Sequence, residues 1–188
     1  MNFTDIANSA LIKLGQDRIA ALSDTTNNAE VMNTRFEMVK RATLRDKPWQ
    51  CAKKRVLPAL LVTEPAFGYT YEHQLPTDYI RVIDITPTGT FWRIEGQKIL
   101  SNSNTLELVY IWDIDEDNAQ DIDDLLGEAI AYHLAWDTCV KITNDGALRD
   151  QMERGYRMTL AQGAYVSSTE DSVNQAQITS WTTAIRVI

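Results

Sequence analysis

The densest group of side chains that could do chemistry is an acidic run from residue 113 to residue 124 of the 188-residue sequence. Carboxylates at its first, third, fifth, ninth and twelfth positions are spaced partly as in a calcium-binding loop. Such a loop needs glycine at its sixth position, where Asn118 stands, and an apolar residue at its eighth, where Gln120 stands. The run therefore fits an exposed strand-to-helix connection better than a calcium site, with Asp121 as the N-cap of the next helix.

The histidines and cysteines do not form a catalytic or metal-binding pattern. Nucleophilic catalysis needs a base held against the nucleophile, but His73 lies in a predicted strand and His133 on the apolar face of a predicted helix. Cys51 and Cys139 lie in different predicted elements, which favours two reduced thiols over a disulfide. These four residues also lack the ligand spacing of a zinc site. We therefore predict no catalytic site, no metal and no cofactor.

Charge is distributed unevenly along the chain. Residues 1–60 contain 10 basic and 6 acidic residues, whereas residues 61–188 contain 8 basic and 20 acidic residues. The net charge of −8 has the wrong sign for a protein that grips duplex DNA. The basic stretch towards the end of residues 1–60 is either a solvated helix face with its exit loop or a surface that meets an acidic partner or a neighbouring copy. Its candidate partner-binding residues are Lys40, Arg41, Arg45, Lys53, Lys54 and Arg55.

Apolar residues at helical spacing predict four helices. The first runs from about residue 4 to residue 14, and the fourth covers about residues 147–165. The second covers residues 28–46 and has one apolar face, which holds Ala29, Met32, Phe36, Val39 and Thr43. The third begins at Asp121 and has a broad apolar face, made of the stripe Ile122, Leu126, Ala129, His133, Trp136 and Val140 and widened by Leu125, Ile130 and Leu134. The turn between the last two is so short that they should pack antiparallel.

The middle of the chain has a different pattern, with short alternating apolar runs separated by turn residues, as is typical of strands. The predicted fold class is α+β. Residues 1–49 and 118–166 form an antiparallel helical bundle, residues 50–117 form a small antiparallel β-lobe inserted in it, and residues 167–188 form an extended C-terminal tail.

The predicted tail is polar at first and then regains apolar groups. Such a composition cannot build a core alone, and an exposed indole is costly to leave without a contact. We therefore expect the tail to dock onto a neighbour or back onto its own domain. Its candidate partner-binding residues are Ile178, Trp181, Ile185, Arg186, Val187 and Ile188.

Several segments carry a family resemblance through their order. Residues 10–15 read Ala-Leu-Ile-Lys-Leu-Gly, residues 19–22 read Ile-Ala-Ala-Leu, and the second predicted helix ends in Arg-Asp-Lys-Pro-Trp at residues 45–49. Residues 71–82 match the pattern Tyr-x-x-x-Leu-Pro-x-Asp-x-x-Arg-Val. In this order the segments resemble the tail tubular protein A family, the head-to-tail adaptors of short-tailed bacteriophages.

The resemblance implies a structural protein without enzymatic activity that forms a ring, commonly dodecameric, beneath the portal. Its partners would be further copies of itself, the phage portal protein and the tail nozzle protein. Genomic double-stranded DNA would pass through the ring without specific binding. The protein would belong to the virion tail after assembly in the host cytoplasm, without a membrane partner.

The acidic surplus after residue 60 suggests which residues line the DNA channel of such a ring. A net-negative wall would repel DNA and let it slide, so we expect part of this surplus to face the lumen. Two alternatives come from other classes of protein. One is a tail-associated glycan hydrolase that uses surface carboxylates, whose pairing is spatial rather than sequential. The other is a generic protein-binding module.

Overall fold

A computed structural model of the chain describes residues 1–170, except for the side chains of residue 164 and residues 167–170. The fold is α+β, with helices at both ends of the described chain and antiparallel strands between them, which confirms the predicted fold class. The helices are α1 (Phe3–Lys13), α2 (Asn27–Asp46), α3 (Asp124–Thr143) and α4 (Gly146–Glu170). The strands are β1 (Lys53–Val56), β2 (Tyr71–Gln74), β3 (Tyr79–Thr86), β4 (Trp92–Glu95), β5 (Lys98–Ser101) and β6 (Glu107–Trp112).

The chain divides into two compact units, and the division falls within α2. The β unit consists of Met1–Phe3 and Lys40–Asp123, and the helical unit contains Thr4–Val39 and the chain from residue 124 onward. The β unit is therefore longer at both ends than the predicted lobe of residues 50–117, because it includes the last part of α2 and a short 3-10 helix after β6. None of the described helices is both long and apolar enough to cross a membrane.

The apolar faces predicted for the helices are mostly the buried ones. All members of the predicted α2 face are buried, namely Ala29, Met32, Phe36, Val39 and Thr43. The broad face of α3 is confirmed at Leu126, Ala129 and Leu134, but Val140 is 49% exposed. Helical spacing does not show where neighbouring elements stop packing against a helix. The stripe predicted for α3 therefore extends too far towards the end of the helix.

Local backbone contacts explain where α1 ends and where α4 begins. Gly15 has a φ of 68° and follows α1, and the next N–H, that of Gln16, donates to Leu11 O at 2.9 Å. Only glycine adopts this left-handed conformation without a steric cost. Asp145 begins α4, because its carboxylate accepts from the backbone N–H groups of Ala147 and Leu148 at 2.9 and 3.0 Å.

The predicted start of α3 is wrong. Residues Glu116–Asp121 form a 3-10 helix whose cap is Asp115, since its carboxylate accepts from the backbone N–H of Asn118 at 3.0 Å. The buried residue Ile122 then has extended backbone angles and separates this turn from α3, which begins at Asp124. Asp121 therefore closes a 3-10 helix instead of capping α3.

The β unit contains two three-stranded antiparallel sheets. One has the strand order β1-β6-β3 and the other β2-β5-β4. A single bridge between Leu60 and His73 adds a short paired segment beside β2. The strand β4 therefore forms one edge of the second sheet, with no partner strand on its outer side among the described residues.

The end of α4 differs from the prediction. The helix reaches Glu170, so it includes the first four residues assigned to the extended tail. The rest of the predicted tail lies outside the described residues, together with its six candidate partner-binding residues, Ile178, Trp181, Ile185, Arg186, Val187 and Ile188.

Candidate partner-binding surfaces

The structure removes Lys40 from the predicted basic surface. Its side chain is 2% exposed, and its ammonium group donates to Ile114 O at 2.6 Å. The same group lies 3.2 Å from an Asp113 carboxylate oxygen and 4.8 Å from the ring centroid of Phe3. The prediction that Lys40 offers its charge to a partner is wrong, because a carbonyl, a carboxylate and a ring already surround the ammonium group inside the β unit.

Two further members of the basic stretch serve internal contacts. A guanidinium nitrogen of Arg45 donates to Ile80 O at 2.7 Å, and Arg81 returns a bond to Arg45 O at 3.0 Å. These two bonds tie the end of α2 to the start of β3. Lys54 pairs with Asp78 at 3.1 Å and lies 3.3 Å from the ring centroid of Trp112. Their charges hold the β unit together.

The remaining basic candidates do not share one surface. Successive side chains of a strand point to opposite faces, so Lys53 and Arg55 lie on one face of β1 and Lys54 on the other. Arg55 is exposed, and Arg41 is exposed but pairs with Asp113 at 3.4 Å. The structure brings Lys40, Arg41 and Asp113 together, but it does not assemble the six candidates into a patch.

Asp78 lies in residues 71–82, one of the segments that resemble the adaptor family, and it contacts three neighbouring residues. One carboxylate oxygen accepts from the Tyr110 hydroxyl at 3.0 Å, the other accepts from Lys54, and its backbone carbonyl accepts from the N–H of Asp113 at 2.7 Å. Burial, and then the neighbouring carboxylate of Asp78, raise the pKa of Tyr110 far above its usual value. The hydroxyl therefore stays a hydrogen-bond donor, and the role of Asp78 is to join β6 to the turn before β3.

Trp49, at the exit of α2, has a comparable role. Its side chain is buried, and its indole N–H donates to Thr43 O at 2.9 Å. This bond satisfies a carbonyl in the last turn of the helix, where such groups lack helical partners. The aromatic exit of α2 is thus part of the core of the β unit.

The two histidines occupy packed positions. His73 is 1% exposed, and its Nε2 lies 2.9 Å from Ser103 O, which fixes Nε2 as the donor because a carbonyl only accepts. His133 is half-buried and stacks with Trp136 and Tyr156, with ring centroids 5.4 and 4.4 Å apart. Both rings make structural contacts within their own units.

The ion pair next to His73 lies on a partly covered face of the second sheet. A carboxylate oxygen of Glu72 is 2.6 Å from both the Lys98 ammonium and the Thr63 hydroxyl. The bond from Lys98 and then the bond from Thr63 lower the pKa of Glu72. A carboxylate held ionised in this way is a poor proton donor at neutral pH.

The thiols and acids also show no reactive arrangement among the described residues. Both cysteines are free, and burial raises the pKa of the Cys51 thiol to about 12. Such a thiol is protonated at neutral pH and a weak nucleophile. Within residues 1–170, no group of three or more histidine, cysteine, aspartate or glutamate side chains is placed to hold a metal ion.

Sequence reasoning missed a group of exposed apolar side chains on the β unit. Three residues of the connection between β1 and β2 are largely exposed, namely Leu57 at 74%, Val62 at 101% and Phe67 at 87%. Phe91 is 80% exposed and Trp92 is 41% exposed, at the start of β4. The sequence predicts short strands over residues 56–57, 60–62 and 91–94, and an apolar run of this kind does not show which of its side chains stay exposed.

Two surface recesses lie near the second sheet, one at β4 itself and one at the residues just before it. A recess of about 410 Å³ is lined by Phe67, Arg93 and Leu100, among others. A second recess of about 480 Å³ is lined by Tyr71 and Phe91, among others. Clusters of exposed apolar residues next to recesses are typical of interaction surfaces, so this edge of the second sheet is the best candidate surface on the described chain.

The comparisons with known proteins do not identify a family. No protein-family model matches the chain. A search of curated protein sequences gives no significant match either.

Proposed function

We propose that this chain is a structural head-to-tail adaptor of a short-tailed bacteriophage. In this proposal several copies form a ring that joins the portal protein to the tail nozzle protein and continues the DNA channel. The observation that carries the proposal is the order of the four segments that resemble the tail tubular protein A family.

The contacts of those segments support a structural role for them. The Asn8 side chain donates to Ile19 O at 3.0 Å and accepts from Ile19 N–H at 2.8 Å, which anchors the second segment. Arg45 and Trp49 anchor the third segment, and Asp78 anchors the fourth, as described above. Three of the four segments thus hold backbone in place, as a scaffold of an assembly subunit requires.

The proposal includes the absence of an enzymatic role. The histidines, Cys51 and Glu72 are engaged in packing or in ion pairs that reduce their reactivity. The exposed apolar side chains near β4 offer contact area to other protein chains instead.

The proposed passage of DNA through the ring draws on the acidic surface. Glu116, Asp117 and Asp121 are exposed on the 3-10 helix, and none of them pairs with a basic side chain among residues 1–170. An unpaired negative surface of this kind would repel the phosphate backbone. We therefore propose this 3-10 helix as a part of the channel wall.

Electron microscopy of the purified protein mixed with the portal protein of a short-tailed phage tests the proposal. We expect closed rings seated on the portal, with the 3-10 helix facing the bore. Portals that stay bare beside unassembled protein would contradict the adaptor function. Release of sugars from bacterial surface glycan, lost on replacement of a single acid, would favour the hydrolase alternative.

A further inference from the structure

The strand β4 has an outer edge that lacks a partner among the described residues. Within residues 1–170 it pairs with β5 alone, in the register Trp92 with Ser101 through Glu95 with Lys98. Alternate N–H and C=O groups of an edge strand point away from the sheet and remain open to another strand. Natural proteins usually shorten, twist or cover such an edge, because it is a template for pairing with another chain.

The two faces of β4 differ in character. Trp92 and Ile94 lie on the face that contains the buried residue Ile99, because paired residues of antiparallel strands share a face. Arg93 and Glu95 lie on the opposite face, where their charged groups are 3.9 Å apart and exposed. A strand added beside β4 would therefore need one apolar face and one polar face, in matching alternation.

The chain itself contains such a segment near its C-terminus. In residues 181–187 the odd positions hold Trp181, Thr183, Ile185 and Val187. The positions between them hold Thr182, Ala184 and Arg186. This period of two, with β-branched and aromatic residues on one side, is typical of a half-buried strand.

We propose that residues 181–187 of one copy pair with the outer edge of β4 of a second copy as an added strand. Trp181, Ile185 and Val187 then extend the face of Trp92 and Ile94. Backbone hydrogen bonds supply affinity, and the alternate side chains supply register.

Charge and length agree with this pairing. Arg186 is the one charged side chain of residues 181–187, and the polar face of β4 carries Arg93 and Glu95, so the charges match in a register that places Arg186 beside Glu95. An extended chain spans about 3.3 Å per residue, so the stretch from residue 170 to residue 181 can cover roughly 35 Å. The choice of a second copy rests on the proposed ring, because a contact between two different surfaces can repeat from one subunit to the next until a ring closes.

A binding measurement tests the edge directly. The probe is a fluorescein-labelled peptide with the sequence of residues 176–188, and the receptor is the full chain carrying Ile185→Asp, so that its own segment does not compete. We expect a saturable rise in fluorescence anisotropy. The additional substitution Ile94→Pro removes an edge N–H and blocks close pairing, and we expect it to weaken binding about tenfold or more.

Matched variants keep this result interpretable. A receptor with Val140→Thr changes an exposed apolar residue on α3 and should bind the peptide unchanged. If circular dichroism shows that Ile94→Pro disturbs the fold, Trp92→Ser tests the same edge without a backbone change. The absence of saturable binding, or binding that neither edge substitution weakens, would overturn the proposal.

Sedimentation velocity of the unmodified chain over a wide range of concentrations tests whether the strand comes from a second copy. We expect self-association that grows with concentration and that Ile94→Pro and Ile185→Asp each reduce. A chain that stays monomeric at every concentration although the peptide binds β4 would show that its own segment fills the edge, which overturns the pairing between copies.

This test separates the inference from the adaptor function. Rings on the portal together with no peptide binding would overturn the inference alone. Peptide binding and self-association without any ring on a portal would support the inference and contradict the adaptor proposal.

Discussion

The helical unit and the β unit reach stable structures by different means. In the helical unit, apolar faces at helical spacing are buried, and the contact of α3 with α4 is close enough that a Cβ at Gly155 would collide with the ring of Tyr132. In the β unit, long polar side chains reach backbone carbonyls of other elements, as Lys40 does at Ile114 and Arg45 at Ile80. The burial of apolar helix faces repeats along the sequence, whereas the hydrogen bonds to backbone carbonyls depend on single residues.

The exposed apolar residues differ in the same way. The helical unit exposes Ile12, Met38 and Val140 singly on α1, α2 and α3, and Met158, Tyr165 and Val166 on α4. Apart from Met1, the large apolar side chains that the β unit exposes lie in the connection between β1 and β2 and at the start of β4. Exposed apolar residues scattered singly are normal. Those at the start of β4 lie beside a strand edge that has no partner strand among the described residues, which makes this edge a candidate surface.

The largest effect should follow from removing a partner of the buried cation in the β unit. Asp113→Ala removes the carboxylate that lies 3.2 Å from the Lys40 ammonium, a group that is 2% exposed. Removing one partner of a buried ion pair should lower the free energy of unfolding by about 3 kcal/mol. Chemical denaturation measures this change.

The control is Arg41→Ala, which removes the exposed partner of the same carboxylate. It should cost less than about 1 kcal/mol. Equal losses for Asp113→Ala and Arg41→Ala would mean that the buried cation does not stabilise the β unit in the way proposed.

A smaller loss should follow from filling the close contact of the helical unit. Gly155→Ala places a methyl group against Tyr132 and should cost about 1–2 kcal/mol, because overpacking outweighs the gain in helix propensity. The control Gly146→Ala meets open space and should not destabilise. A double substitution with Tyr132→Ala should recover part of the loss. A stabilising Gly155→Ala would show that the helices of this unit can move apart at little cost.

The β unit should also lose stability at alkaline pH through Cys51. The pKa of this thiol is about 12 in the folded chain, against about 8.5 for an ordinary thiol. The stability that it contributes is present below about pH 8.5 and is lost as the pH rises towards 12, because only the unfolded thiol ionises in that range. We expect the chain to be about 1 kcal/mol less stable at pH 9.5 than at pH 8, and Cys51→Ser to lack that part of the loss.

The smallest effect should follow from a surface ion pair of the helical unit. Arg35 donates two hydrogen bonds, of 2.6 and 3.0 Å, to the carboxylate of Asp137, and these bonds raise the pKa of Arg35. Both side chains are partly exposed. Arg35→Ala should lower the free energy of unfolding by less than about 1 kcal/mol, and added salt should reduce the difference. If Arg35→Ala lowered the free energy of unfolding as much as Asp113→Ala, the surface ion pair of the helical unit would be as important for stability as the buried cation of the β unit.

The candidate surfaces were predictable only in part. Arg41 and Arg55 are exposed, as a basic surface requires, but Lys40, Arg45 and Lys54 serve internal contacts. A charged residue in a sequence is expected at the protein surface. A carboxylate or carbonyl from a distant segment can nevertheless pair with the charged group in the interior. No spacing of residues 40–55 reveals that Asp113 and Ile114 come to lie beside Lys40.

The sequence by itself determined the helices, the insertion of an antiparallel β region between them, and most buried faces, because the periods of helix and strand are local properties of the backbone. The tertiary structure alone decided that Lys40 is buried, that Asp115 rather than Asp121 caps the turn after β6, and that β4 is an edge strand of the sheet formed by the described residues. These outcomes depend on which segments meet, and pairing between distant segments has no local period that a sequence can display.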